Sequence, residues 1–143
     1  MKEAGVFCFL DEIVELKRNE SITAFYKLKG DEEFLKDHFG VFPVMPGVLL
    51  LEALKQAASR LLAFSGDSNR PFYRMVNAEN VKFGQFVKPG TRLRIAASLM
   101  KEEKPFRPPS LEASERFYFF EGRIDCEKGR ALQASFVLVP VGD

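Results

Sequence analysis

Residues 48–64 read VLLLEALKQAASRLLAF, a stretch without glycine or proline and dominated by leucine and alanine. Such residues lose little conformational freedom in a helix, so the segment predicts a continuous helix of about 25 Å at 1.5 Å per residue. Pro46-Gly47 marks its start and Gly66 supplies its stop. Polar residues fall at Glu52, Lys55, Gln56 and Ser59, the i, i+3, i+4, i+7 spacing of one narrow stripe, while nearly every other face is apolar. A helix of this kind is expected to be wrapped by other structure.

What surrounds it reads as sheet. DEIVELKRNESITAFYKLK, residues 11–29, alternates apolar and polar positions on either side of a break at Arg18-Asn19-Glu20, which predicts a β-hairpin. Residues 31–37 are acidic and predict at most one helical turn. They lead into HFGVFPVMPG, residues 38–47, where two prolines and two glycines exclude regular helix and central strand and leave an ordered loop. Strand-like runs return at 72–83, 92–99, 115–125 and 131–139, with turns at Val87-Lys88-Pro89-Gly90 and Glu127-Lys128-Gly129. Residues 101–114, KEEKPFRPPSLEAS, form too long and proline-rich a connection for a tight hairpin. One apolar helix between a hairpin and a run of strands predicts an α+β fold, a curved antiparallel sheet around a long central helix.

At 143 residues the chain is expected to form one domain, residues 1–143. Apolar residues make up 46% and charged residues 29%, and the net charge is +1, a balance that argues against a nucleic-acid partner. The first residues lack a basic start followed by a long apolar run, and no apolar stretch, Val48 to Leu51 included, comes near the length needed to span a bilayer, so the expectation is a cytoplasmic protein with no membrane partner. Cys8 and Cys126 lack metal-ligand spacing and there is a single histidine, so free thiols and no metal or other cofactor are expected. Fifteen phenylalanines against three tyrosines and no tryptophan supply aromatic bulk that suits an apolar core or an acyl channel. Residues 70–104 carry eight basic and three acidic side chains, which makes Arg74, Lys82, Lys88 and Arg92 candidates for steering an acidic partner.

The stretch HFGVFPVMPGVLLLEALKQ, residues 38–56, resembles the active-site signature HFPxxPxxPGVLxxEAxAQ of the beta-hydroxyacyl-[acyl carrier protein] dehydratases of fatty acid synthesis, with His38, Phe39, Pro43, Pro46, Gly47, Val48, Leu49, Glu52, Ala53 and Gln56 in register. NAENVKFGQFVKPGTRL, residues 77–93, resembles the family's following strands and turn, and the likeness extends loosely from about residue 10 to 139. The resemblance implies a hotdog fold and a hydro-lyase acting on a thioester of acyl carrier protein or coenzyme A. It further implies catalysis by His38 and Glu52, substrate contacts from Gly47, Phe39, Val48 and Gln56, a cis His38–Phe39 peptide, and a homodimer or trimer of dimers in which the His of one subunit faces the Glu of the other.

The residue types fit that chemistry independently. Dehydration needs a base for the α-proton, an acid for the departing hydroxyl and a donor for the enolate-like oxygen. Neutral His38 is suited to the first task, a shielded Glu52 to the second, and the Gly47 N–H at a helix start to the third. Gln56, four residues beyond Glu52, is placed to hydrogen-bond its carboxyl. Two positions depart from the pattern. Gly40 replaces a proline, and Lys55 replaces a small residue three positions from Glu52, where a cation would favour the ionised acid. A thioesterase using Glu52 and water, or a non-catalytic acyl-binding or partner subunit, remain the competing readings.

Overall fold

The computed structural model describes residues 8–32, 35, 44–66, 72–100 and 116–141. These form β1 (Glu12–Lys17), β2 (Ser21–Lys27), α1 (Gly47–Ser65), β3 (Tyr73–Phe83), β4 (Arg92–Leu99), β5 (Tyr118–Cys126) and β6 (Gly129–Pro140). The six strands make one antiparallel sheet in the order β1-β2-β4-β5-β6-β3, and α1 packs against β2 through β6. This is the α+β arrangement expected from the sequence. No helix among the described residues is long and apolar enough to cross a membrane.

The core lies between α1 and the sheet. Leu50, Ala53, Leu54, Ala57, Ala58, Leu61 and Leu62 are buried on the helix, facing Ile22, Ile95, Phe120, Ile124, Leu132 and Phe136 from the strands. Alanines on the buried face let the helix approach closely, and Gly122 on β5 does the same from the sheet. A Cβ at Gly122 would stand 2.8 Å from Leu54 Cδ2 and 3.1 Å from Phe136 Cε1. Behind β6, Val137 and Val139 are also buried, with Val76, Phe117 and Phe119 packed against them. Burial on both faces explains why this strand reads as a nearly continuous apolar run.

The helix ends as its sequence predicts: Gly66 adopts a left-handed conformation (φ 75°) and donates its N–H to the carbonyls of Leu62 and Ala63. The β1–β2 turn clamps this end. Arg18 Nη1 donates to the Ser65 carbonyl at 2.9 Å, and the Asn19 N–H donates to Ser65 Oγ at 2.8 Å.

The sheet lies against the helix as expected, and Val48 and Phe64, near its two ends, are 69% and 45% exposed. Strand bounds differ from expectation at two places. The β5–β6 turn is so tight, with Gly129 at φ 131°, that pairing continues to Cys126 opposite Gly129 and carries both strands past their expected ends at this turn. β5 begins at Tyr118 rather than at residue 115. The 101–114 connection and most of the acidic 31–37 segment lie outside the described residues.

Candidate active site

The chain approaches α1 along the β3–β4 connection. The Met45 N–H donates to the Val87 carbonyl at 2.8 Å, and Gly84 and Gln85 donate their N–H groups to Ala131 and Arg130 of β6, both at 2.9 Å. Pro46 is extended (φ −62°, ψ 143°) and caps the helix without a side-chain hydrogen bond, so the first-turn amides point forward at the positive end of the helix dipole. Here the missing side chain of Gly47 is what lets a neighbouring ring lie against the helix start. The ring of Phe83, at the end of β3, occupies the space a Cβ would need.

From this start a stripe runs along the helix through Val48, Glu52, Lys55, Gln56 and Ser59. Val48 is exposed, whereas the side chains of Glu52 and Lys55 retain 31% and 29% of their accessibility. Glu52 Oε2 accepts hydrogen bonds from Gln56 Nε2 at 3.1 Å and from Lys55 Nζ at 3.4 Å. Gln56 Oε1 accepts the Phe9 N–H at 2.7 Å, a bond that joins the chain ahead of β1 to the helix. The Ser59 hydroxyl donates to the Lys55 carbonyl at 2.8 Å. Among the described residues both hydrogen bonds to this half-buried carboxyl fall on one oxygen, an arrangement suited to proton transfer through the other.

The structure thus brings together Glu52, Gln56 and Lys55, with Gly47 and Val48 one turn earlier. His38, Phe39, their connecting peptide and Gly40 lie outside the described residues. Lys55, the departure from the motif, turns toward Glu52 rather than away. Two participants escaped the sequence reading. Phe9 acts through its backbone N–H across 47 positions of sequence, for which no side-chain signal exists; Phe83 ends a strand before a glycine and gave no sign that its ring meets Gly47.

Where the chain leaves β2 toward residue 38, a second carboxylate organises the backbone. Glu32 accepts the Tyr26 hydroxyl at 2.7 Å and the N–H groups of Lys29 and Gly30, both at 2.8 Å. Burial alone would raise its pKa, but the Lys29 N–H, the Tyr26 hydroxyl and the Gly30 N–H together outweigh that and hold the carboxyl below its ordinary value. Burial, reinforced by the Glu32 charge, pushes the Tyr26 phenol far up and keeps it protonated.

The basic residues do not form one patch. Arg74, Lys82, Lys88 and Arg92 are all exposed. Arg74 and Lys82, however, lie near opposite ends of β3, roughly 26 Å apart at 3.3 Å per residue. Arg92 is stacked on Phe25, its guanidinium carbon 3.7 Å from the ring centroid. Lys88 follows Val87, which holds Met45, and so lies beside the approach to the helix.

The family described as ApeI-like, ApeI dehydratase, matches residues 14–119. A Shewanella amazonensis protein described as 3-hydroxyacyl-[acyl-carrier-protein] dehydratase FabZ is 36% identical over 102 residues, 68% of this chain and 66% of that protein. A Lactococcus lactis protein of the same description is 34% identical over 108 residues, 76% of this chain and 74% of that protein. Among solved structures, the dehydratase heterocomplex ApeI:P of Xenorhabdus doucetiae superposes with a TM-score of 0.68 at 14% identity, covering 94% of this chain and 84% of that one. A hypothetical thioesterase with coenzyme A from Streptococcus pneumoniae superposes at 0.62 with 12% identity, covering 92% and 86%. These likenesses establish the hotdog fold.

Proposed function

The chain belongs to the ApeI-like dehydratase family, and we propose that it removes water from a beta-hydroxyacyl thioester, carried on acyl carrier protein, to give a trans-2-enoyl thioester. The observation that carries this reading is the match across residues 14–119, which spans the whole His38 to Gln56 signature and the half-buried carboxyl of Glu52 within it.

His38 takes the α-proton, the Gly47 N–H receives the thioester oxygen as negative charge develops there, and Glu52 protonates the departing hydroxyl. Phe39 and Val48 border the acyl chain, and Gln56 supports Glu52. Glu52 and Gly47 stand on one rigid element, so their separation is set by helix geometry, and a second copy of the chain supplies His38 to each Glu52. The basic residue beside the helix start, Lys88, is placed to favour an acidic carrier.

The test is turnover of beta-hydroxyacyl thioesters of several chain lengths, on carrier protein and on coenzyme A, by the wild type and by His38→Ala and Glu52→Gln. Enoyl thioester formation lost by about 10²-fold or more in each variant is expected, since general acid–base groups contribute on that scale. Release of free thiol without enoyl product would replace this reading with hydrolysis, and near-wild-type turnover in both variants would remove the assigned pair.

A further inference from the structure

The hydrogen bonds around Gln56 have a polarity that no rotation can reverse. The Phe9 N–H is a backbone donor and lies 2.7 Å from one end of the Gln56 amide, so that end must be the oxygen. The NH2 end therefore faces Glu52, where it donates to Oε2 at 3.1 Å, and Lys55 Nζ reaches the same oxygen at 3.4 Å. An oxygen that accepts from two donors, one cationic, is the poorer place for a proton.

From this we infer that Gln56, oriented by the Phe9 backbone, is a positioning residue that selects Oε1 of Glu52 as the oxygen that carries and delivers the catalytic proton. The inference rests on the dehydratase reading and adds to it the element that sets the acid's geometry. In the reaction Oε1–H protonates the β-hydroxyl, the C–O bond breaks, water departs, and the base holds the α-proton as the carbon–carbon double bond forms. The charge left on the carboxylate is then shared with Oε2, where Gln56 and Lys55 already wait. Lys55 is the charged group that meets Glu52 among the described residues, and His38 is the proposed base on the other side of the substrate. The segment ahead of β1 thereby becomes part of the acid's support through a single amide.

Two substitutions separate this role from a structural one. Gln56→Leu removes both ends of the relay. Gln56→Glu keeps the acceptor for Phe9 but can donate to Glu52 only while its own carboxyl is protonated. For Gln56→Leu the expected result is a fall in kcat of roughly tenfold with KM within about threefold, the pattern of an interaction expressed in the transition state. For Gln56→Glu the ratio of its activity to wild type is expected to fall as pH rises, because ionisation replaces the donor by a like charge. Circular dichroism and melting curves accompany both, and the near-isosteric Gln56→Glu remains informative if Gln56→Leu does not fold. Unchanged kcat in folded Gln56→Leu, or a Gln56→Glu to wild-type ratio that does not move with pH, overturns the inference. Absence of dehydration by the wild type, or full activity in Glu52→Gln, would instead mark failure of the functional reading beneath it.

Discussion

The ring of Phe83 lies against the bare Cα of Gly47: a Cβ built there would stand 2.7 Å from Phe83 Cε1. Phe83 is 57% exposed, so its ring can swing away, and alanine is the better helix former. Gly47→Ala should therefore leave the melting temperature unchanged or slightly raised while lowering kcat/KM by about tenfold or more, because both the ring and the approach to the Gly47 amide are disturbed. The Gly47→Ala/Phe83→Ala pair should be less impaired than the two single effects combined, since adjacent residues couple. Additive kinetics in that cycle would deny the contact a functional part.

Gly122 presents the opposite case, because its neighbours cannot leave. Leu54 and Phe136 are wholly buried where β5 approaches α1. Gly122→Ala should destabilise the protein by about 1–3 kcal/mol, the range for overpacking a filled core. Urea unfolding measures this directly, and a midpoint equal to wild type would show that the sheet yields more readily than its packing implies.

A site shared between two copies can be tested by mixing. His38→Ala and Glu52→Gln proteins, each inactive alone, should regain about one quarter of wild-type activity after subunit exchange in equal amounts. Half the dimers are then mixed, and each mixed dimer holds one intact site of two. No recovery despite exchange demonstrated with labelled subunits would place both groups in the same chain.

Glu32 gives the fold a sensitivity to acid. Its carboxyl is held below its ordinary pKa in the folded protein, so it binds a proton less readily there than in the unfolded chain. Its stabilising effect is accordingly present above the unfolded carboxylate range and is lost as pH falls through the folded value. Glu32→Gln should melt at a lower temperature than wild type near pH 7, with the gap narrowing steadily below about pH 4. A gap independent of pH would mean that shape, not charge, holds the turn between Lys29 and Glu32.

Local sequence settled much of this molecule. The helix between Gly47 and Gly66 was legible because breakers bound a run of helix formers, and the hairpin and strands because alternation and turn residues act over a few positions. The placing of Glu52 and Gln56 on one stripe follows from 3.6 residues per turn alone. Tertiary structure decided the rest: the strand order that lays β3 beside β6, the meeting of Phe83 with Gly47, and the amide of Phe9 on Gln56. Each of these joins positions far apart in the chain. The last acts through a backbone group that every residue except proline carries, so its partner is chosen by packing and not by side-chain identity.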